Sequence, residues 1–290
     1  MNTPRVLFQF DTDDQPSTFD GVVAVDAGVD HLFRHGSVTP ENVASLVHGA
    51  MFTRGAKALR STAIFIGGTD VLAGEQLLSK VTSTFFGPVR VSVMLDSNGS
   101  NTTAAAAVVT AAQHCSLMNC RALVLAGTGP VGRRVARLLG RHGCDVRIGS
   151  RSPQRAEQAA AEISVGLKDS SIHGVSTAGD DALQAAMAGC QILIACGAAG
   201  VTLIEQTTLD TAADLKLLID LNAVPPAGLE GVEPTDKGRR DARERICYGA
   251  LGVGSLKMKI HRRAIEHLFA CNDAILDAEA IYALGETLLG

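Results

Sequence analysis

Residues 122–132 read Ala122-Leu123-Val124-Leu125-Ala126-Gly127-Thr128-Gly129-Pro130-Val131-Gly132. The first five residues form a short apolar run, which is typical of a buried parallel strand. A helical pattern follows, with one apolar face made of Val131, Val135, Leu138 and Leu139. Strand, glycine turn and helix in this order predict a dinucleotide site. In such a site Gly127 permits the tight turn, Gly129 lets the backbone approach a pyrophosphate, and Gly132 lets the helix pack closely on the strand.

The end of the next predicted strand indicates which nucleotide is bound. This strand, 146–149, runs into Ser150-Arg151-Ser152, and Arg155 follows shortly after. An NAD site carries an acid here, which holds the ribose 2′-hydroxyl, whereas serine and arginine suit a 2′-phosphate. The sequence therefore predicts NADP as the cofactor, with NAD as a second acceptor. The alternative is that Arg151 is a solvated loop arginine.

Composition narrows the class of protein. The chain has 290 residues, of which 46% are hydrophobic and 19% charged, as expected for a soluble enzyme of two domains. Its net charge of −4 gives no electrostatic basis for binding nucleic acid or an anionic membrane. No apolar run reaches the ~18 residues of a membrane span. The seven cysteines show no CxxC spacing, so we expect a reducing cytoplasm and neither a zinc site nor a disulfide framework.

Strands and helices alternate along most of the chain, which predicts an α/β fold with parallel sheets. We expect an N-terminal α/β domain over residues 1–115, joined by C-terminal helices within 255–290. A Rossmann-type, doubly wound NADP-binding domain is expected over 116–254. Residues 40–52 are predicted to be a helix with Pro40 in its first turn, and 224–245 to be loop. Helices rich in alanine and glycine favour a homo-oligomer.

Further stretches in both predicted domains resemble one enzyme family. They are residues 9–13, 53–55 with Lys57, 61–68, 95–104, 222–226, 235–238, 249–254 and 256–262. Together with the glycine loop they resemble the NAD(P)-dependent methylene-tetrahydromethanopterin dehydrogenases of methylotrophic bacteria, over nearly the whole chain. The resemblance implies hydride transfer from the one-carbon bridge of a reduced pterin to the nicotinamide, which yields the methenyl compound.

The family has an NADP-specific branch that also accepts methylene-tetrahydrofolate, and a second branch that uses NAD as well. The glycine loop and the run 96–101 are similar to the first branch. That branch carries a second basic residue after the arginine, whereas this chain has Ser152. Either Arg155 compensates, or the preference for NADP is looser.

The resemblance also implies a catalytic contact. Loss of hydride from a carbon between two nitrogens leaves a cation that both lone pairs stabilise, so no proton must leave in that step. The enzyme must mainly position donor and acceptor and exclude water. The resemblance implies that Lys257 lies near the reacting pterin, and the alternative is a helix-surface lysine. Lys57 invites comparison with the catalytic lysine of folate dehydrogenases, but its setting predicts an exposed loop.

Polar residues after predicted strands are candidates for binding. Asp11 and Asp13 either bind the pterin amine and ring N–H or act as turn and capping acids. A second polar group combines helix capping with substrate contact and consists of Asp96, Ser97, Asn98, Ser100, Asn101 and Thr102. In the nucleotide domain, Cys196, Gly197 and Ala198 are expected to line the cofactor site. Asp220 and Asn222 are expected to face the nicotinamide ribose or carboxamide.

Two other functions stay open. A quinate- or shikimate-type NADP dehydrogenase shares the domain order, but it requires a lysine–aspartate pair at a hydroxyl, and no such motif stands out. A non-catalytic nucleotide- or pterin-binding protein has no need of polar clusters in both halves. His31 and His35 have HxxxH spacing without the glutamate of a metalloprotease, so we expect no metal. No feature indicates cyclohydrolase activity.

Overall fold

The computed structural model describes residues 3–168 and 170–289. Two compact units make up the chain, one of Met1–Thr102 with Met258–Gly290 and the other of Thr103–Lys257. The first unit is therefore shorter than the predicted N-terminal domain, since the helix that starts at Ser100 belongs to the second unit beyond Thr102. No helix among the described residues is long and apolar enough to cross a bilayer.

The helices and strands alternate, and their bounds are as follows. The strands are β1 (Val6–Asp11), β2 (His31–His35), β3 (Thr62–Gly67), β4 (Ser92–Leu95), β5 (Arg121–Leu125), β6 (Asp145–Ser150), β7 (Ser171–Ser176), β8 (Ile192–Ala195), β9 (Leu217–Asp220), β10 (Lys237–Arg240), β11 (Ile246–Tyr248) and β12 (Ile275–Leu276). The helices are α1 (Thr18–Asp26), α2 (Val43–Phe52), α3 (Val71–Thr84), α4 (Ser100–His114), α5 (Pro130–Arg141), α6 (Pro153–Ser164), α7 (Asp180–Met187), α8 (Gln206–Leu209), α9 (Ala250–His267) and α10 (Ala278–Glu286).

The first unit contains a five-stranded parallel sheet in the order β12-β4-β3-β1-β2. Every residue of β3 is buried, as expected for a parallel strand covered on both faces. Phe10, Ile64 and Leu77 belong to the core that packs on this sheet. Because chain order reverses beside β1, the carboxyl ends of β1 and β3 mark the place where such sheets bind ligands.

The second unit contains a seven-stranded sheet in the order β10-β11-β9-β8-β5-β6-β7. Apart from β10, which runs antiparallel to β11, all neighbouring strands are parallel. Read from β7 to β11, the order matches the 3-2-1-4-5-6 sheet of dinucleotide-binding proteins. This confirms the predicted doubly wound Rossmann-type architecture, with β5 in the position of the first strand.

Two local predictions were wrong. Helix α2 begins at Val43 rather than near Pro40, because the Asn42 side chain accepts the N–H of Thr39 and holds a turn there. The segment 224–245, predicted as loop, contains β10, whose four residues are all exposed and charged or glycine, so no apolar alternation signals it. The two histidines of the HxxxH spacing, His31 and His35, lie at opposite ends of strand β2. At the rise of a strand they are roughly 13 Å apart.

Candidate functional site: a nucleotide cavity and a polar sheet edge

The glycine loop between β5 and α5 has room for side chains at only one of its three glycines. A Cβ at Gly127 would lie 2.8 Å from the Val124 carbonyl oxygen, and one at Gly132 would lie 2.6 Å from the Gly127 Cα. A Cβ at Gly129 would meet only the Ala126 oxygen, at 3.7 Å. Gly127 and Gly132 are thus required for packing of α5 against the turn, while Gly129 leaves open space beside the backbone.

The N-terminus of α5 is built to bind an anion. Gly129 is the N-cap in an extended conformation, Pro130 occupies the first turn, and no side chain caps the helix. The N–H groups of Val131 and Gly132 lie in the first turn, where a helix supplies no acceptor. Unsatisfied N–H groups and the positive end of the helix dipole suit a diphosphate, so the residues present fit a dinucleotide.

A cavity of about 500 Å³ lies at the carboxyl ends of β5, β6 and β8. It is lined by seven of the predicted cofactor residues: Thr128, Ser150, Arg151, Ser152, Arg155, Gly197 and Ala198. Six further residues that were not predicted as cofactor contacts also line it: Leu125, Ala126, Thr177, Val201, Thr202 and Leu203. Thr177 follows β7, and its N–H donates to the Ser150 oxygen at 2.9 Å. The polar run 171–176 gives little sign of this strand, although a Rossmann unit requires one there.

The cavity has a cationic side at the end of β6. Arg151 and Arg155 are exposed, and neither guanidinium forms an ion pair with residues 3–168 or 170–289. Ser152 caps α6 by accepting the N–H of Arg155, and Ser150 Oγ accepts the N–H of Ser152 at 3.2 Å. These contacts hold the turn that carries both arginines. Two uncompensated guanidinium groups beside a ribose position suit a 2′-phosphate.

Cys196, Asp220 and Asn222, three predicted cofactor residues, do not line this cavity. Buried Asp220 accepts the N–H groups of Asn222 and Leu229, both at 3.0 Å, through its two carboxylate oxygens. Burial raises the pKa of Asp220. Asn222 accepts the N–H of Val224 and donates to the oxygen of Pro226. The structure thus places these two side chains in the loop that follows β9, where they hold its backbone.

The acids after β1 also hold backbone. Fully buried Asp11 accepts the N–H of Asp13 and of Ser17, each at 3.0 Å. Asp13 accepts the N–H and the hydroxyl of Thr69, at 3.1 and 2.9 Å, and so links the ends of β1 and β3. Asp11 Oδ2 also accepts a hydrogen bond of 3.4 Å from Gln9 Nε2. Of the two roles open at the sequence level, the turn-forming one accounts for the backbone contacts of both carboxylates.

The polar run after β4 forms a buried capping network around the start of α4. Asp96 Oδ1 accepts the N–H groups of Asn101 and Thr102 at 2.9 Å. The hydroxyl of Ser97 donates to the Gly67 oxygen, and that of Ser100 to the Ser97 oxygen.

Asn98 differs from the other members of this run. It is exposed, it has a left-handed φ of 52°, and its side chain makes no hydrogen bond with the described residues. Its backbone N–H donates to the Gly68 oxygen at 2.7 Å. The network therefore presents one side chain, Asn98, that can bind a ligand at the carboxyl edge of the first sheet.

Lys257 is half-buried within α9 and is the last residue of the second unit. Upstream, a Cβ at Gly252 would lie 1.9 Å from the Asp236 oxygen, so this helix packs tightly against the turn before β10. A Cβ at Gly254 would meet nothing within 4 Å. Gly254 and Lys257 are three residues apart and share a helix face, so the face that carries Lys257 has open space one turn away.

Lys57 lies at the other end of the first sheet. It is exposed in a short 3₁₀ helix, Ala56–Ser61, that leads into the amino end of β3. By contrast, Asp11 is the last residue of β1 and Asp96 directly follows β4, so both lie at the carboxyl ends of their strands. Lys57 therefore does not join the candidate substrate residues. Among the described residues, no group of three or more His, Cys, Asp and Glu is arranged to hold a metal ion.

Comparison with known proteins identifies the family. Residues 18–98 match the model "Methylene-tetrahydromethanopterin dehydrogenase, N-terminal". The chain is 44% identical over 286 residues to the bifunctional protein MdtA of Methylorubrum extorquens, covering 98% of this chain and 99% of that protein. It is 28% identical to the NAD(P)-dependent methylenetetrahydromethanopterin dehydrogenase of the same organism, covering 94% of this chain and 95% of the relative.

Solved structures share the fold. Shikimate 5-dehydrogenase from Listeria monocytogenes, solved with shikimate and NAD, aligns with a TM-score of 0.54 at 11% identity, over 98% of this chain and 97% of that one. This likeness shows a common α/β architecture and no more. The sequence relationship is far closer, and by it the chain belongs to the methylene-tetrahydromethanopterin dehydrogenase family.

Proposed function

We propose that this protein is an oxidoreductase that oxidises methylene-tetrahydromethanopterin to the methenyl form with NADP as hydride acceptor, in the one-carbon metabolism of a methylotroph. One observation carries the proposal. In this member of the family, the glycine loop adjoins a nucleotide cavity lined by two arginines, Arg151 and Arg155, that form no ion pair with residues 3–168 or 170–289. NAD is the second acceptor. When bound, NADP supplies the nicotinamide ring that accepts the hydride.

The second unit supplies nucleotide binding. The N–H groups at the start of α5 would hold the diphosphate, beside the open space at Gly129. Arg151 and Arg155 would hold the 2′-phosphate, and Ser150 and Ser152 keep their turn in place. Gly197 and Ala198 line the same cavity after β8. In this arrangement Arg155 supplies the second positive charge. Ser152 cannot supply it, although it occupies the position of the second basic residue in the NADP-specific branch.

The first unit would bind the pterin at the carboxyl edge of its sheet. The loops of Asp11, Asp13 and Asp96 are fixed by hydrogen bonds to their own backbone, which gives a rigid edge with little entropy to lose on binding. Asn98 would supply the side chain that hydrogen-bonds the pterin. We assign Lys257 as the catalytic contact, as the family resemblance implies, where it would bind the pterin and orient the methylene carbon.

The hydride-transfer step requires the pterin to be positioned correctly, and it requires no proton transfer. Because the departing hydride leaves a cation shared by two nitrogens, no general base has to act in that step. The chain's own task is to hold the pterin and to exclude water from it. An ammonium group disfavours a developing cation, so Lys257 must contact an electron-rich ring or carbonyl atom away from that carbon.

We further propose that methylene-tetrahydrofolate is a second, slower donor, since the 44% relative is named a bifunctional protein. The test offers each pterin with NADP and with NAD, and follows nicotinamide absorbance. Turnover with the methanopterin donor and NADP is the expected result. Tight NADP binding with no turnover on either pterin would leave only a nucleotide-binding protein.

The protein is also proposed to be a cytoplasmic homo-oligomer that binds neither nucleic acid nor membrane. The cysteines are free, which suits a reducing compartment. Helix α1 exposes Phe19, Val22 and Val25 at 52%, 55% and 62%, at three-residue spacing, and an apolar stripe of this kind favours association. Light scattering of the wild type and of Val22→Ser measures the oligomeric state. An oligomeric wild type that dissociates in the variant is the expected result, and a monomeric wild type would contradict the proposal.

A further inference from the structure

We propose that a second cavity, at the amino end of the first sheet, binds a small diphosphate anion. This cavity has a volume of about 640 Å³. Its lining includes three cationic side chains, Arg5, Lys57 and Arg60, together with Asp30 and Phe269. None of these residues takes part in the proposed reaction, and Lys57 is the lysine that the candidate pterin site leaves unused.

The position of the cavity separates it from the candidate pterin loops. Arg5 directly precedes β1, Asp30 precedes β2, and Lys57 and Arg60 lie in the 3₁₀ helix that leads into β3. These three strands are neighbours and parallel, so their amino ends share one edge of the sheet. The candidate pterin loops lie at the opposite edge, roughly 20 Å away along the six residues of β1.

The charge of the cavity is unbalanced. Arg5, Lys57 and Arg60 are exposed, and none of them forms an ion pair with residues 3–168 or 170–289. The lining contains one carboxylate, Asp30, and its Oδ2 accepts the backbone N–H of Arg5 at 2.7 Å. Three cations that converge on one concave surface repel each other, and a bound anion removes that repulsion.

Two contacts order part of this cavity without a ligand. The Arg54 guanidinium donates to the oxygens of Pro4 and Ser61, at 2.9 and 2.8 Å, and so ties together the segments that carry Arg5 and Arg60. The Arg5 guanidinium lies 5.5 Å from the centroid of the buried Phe269 ring. A cation–π contact of this kind restricts the guanidinium to one side of the cavity. The two backbone segments and the Arg5 guanidinium are therefore preorganised, which lowers the entropic cost of binding.

The ligand class follows from these donors. Arginine offers a planar fork that matches phosphate oxygens, and lysine offers a point charge. Two arginines and a lysine, less one carboxylate, leave a net charge of +2, and three separate cationic donors can contact two phosphoryl groups at once. Because the cavity is open and mostly polar in its lining, the anion would bind at the protein surface.

Calorimetry with inorganic pyrophosphate tests the proposal, in saturating NADP so that the nucleotide site is filled. The wild type should bind one pyrophosphate per chain, and Lys57→Glu/Arg60→Glu should bind it at least about tenfold more weakly. A matched control, Lys80→Glu/Lys259→Glu, makes the same charge change at two exposed lysines of the same unit outside the cavity. Absence of binding by the wild type, or equal weakening in both double variants, would overturn the proposal.

A measurement on the wild type avoids any effect of the substitutions on folding. Amine acylation followed by mass spectrometry reports the reactivity of each lysine, with Lys80 as the internal reference. Pyrophosphate should slow acylation of Lys57 severalfold and leave Lys80 unchanged. Equal rates at Lys57 with and without pyrophosphate would contradict a site at this cavity.

Discussion

Asp96 Oδ2 accepts a hydrogen bond of 2.6 Å from the hydroxyl of Thr102, while its Oδ1 accepts the N–H of the same residue. One carboxylate thus closes the first turn of α4 and holds the end of β4. The side chain that points away from this closed network is Asn98. Asp96 and Thr102 therefore build the carboxyl edge of the first sheet, whereas Asn98 can bind a ligand there.

Asp96→Ala is expected to destabilise the protein by about 1–3 kcal/mol, because two buried N–H groups and a hydroxyl lose their acceptor. Asn98→Ala should cost only about 1 kcal/mol, because alanine adopts the left-handed backbone of this residue less readily than asparagine, and should raise KM for the pterin. Urea unfolding and steady-state kinetics of both variants measure this separation. A large loss of stability in the Asn98 variant, with normal KM, would assign Asn98 to the fold instead.

Arg151→Ala is expected to raise KM for NADP roughly tenfold or more and to leave KM for NAD unchanged, since NAD has no 2′-phosphate. Arg155→Ala should act in the same direction if Arg155 supplies the second cation. Arg90→Ala, which removes a half-buried arginine of the other unit, serves as the control. Unchanged NADP kinetics in both cavity variants would remove the phosphate role from this side of the cavity.

Lys257→Ala is expected to lower kcat while NADP binding, measured by fluorescence titration, stays at the wild-type value. The reason is that Lys257 is proposed to contact the pterin and not the nucleotide. Lys259→Ala, two residues further along α9 and exposed, provides a matched control. Wild-type turnover in the Lys257 variant would make Lys257 an ordinary helix-surface lysine.

Alanine substitutions at Gly132 and at Gly129 of the glycine loop are expected to have different effects. Gly132→Ala should destabilise the protein by about 1–3 kcal/mol, because its Cβ would lie 2.6 Å from the Gly127 Cα. Gly129→Ala should fold normally and weaken NADP binding, since its Cβ meets no close protein atom but would occupy the space left for the cofactor. Thermal unfolding and NADP titration of both variants separate packing from binding. Equal NADP affinity in wild type and Gly129→Ala is the contrary result.

Asp145 is expected to make stability depend on acid pH. Burial opposes its ionisation, but hydrogen bonds from Arg121 at 2.6 Å and from Ser171 at 3.0 Å outweigh burial and lower the pKa of Asp145. A lowered pKa contributes stability that is present above the unfolded value of about 3.9 and lost as pH falls below it. Asp145→Asn should flatten the acid side of a stability–pH profile, and an unaltered profile would contradict this.

The parts that the sequence predicts well are those encoded by neighbouring residues. The β5-turn-α5 unit was found because its three glycines and its apolar periodicity lie within a few residues, and Ser150 and Arg151 follow one strand later. The roles of Asp220 and Asn222 could not be found in this way. Asp220 binds the N–H of Leu229, nine residues on, and only the folded loop shows that its carboxylate is already used.

The same distinction applies to the polar residues of the first unit. Composition indicates a ligand site in the run 96–102, but burial decides which side chains are available, and that depends on packing of Ser97 against Gly67 and Gly74. The strand β2 was missed because His31 and Arg34 break its apolar character at the sheet edge. The cationic cavity joins Arg5 to Lys57 across more than fifty residues, so no local pattern could reveal it.

Isotope transfer tests the central claim most directly. Methylene-tetrahydromethanopterin that carries two deuterium atoms on its one-carbon bridge is oxidised with NADP, and the reduced nucleotide is analysed by mass spectrometry and NMR. Direct hydride transfer predicts one deuterium on the nicotinamide ring of every product molecule. Protium from solvent at that position, or no reduced nucleotide at all, would contradict the proposed reaction.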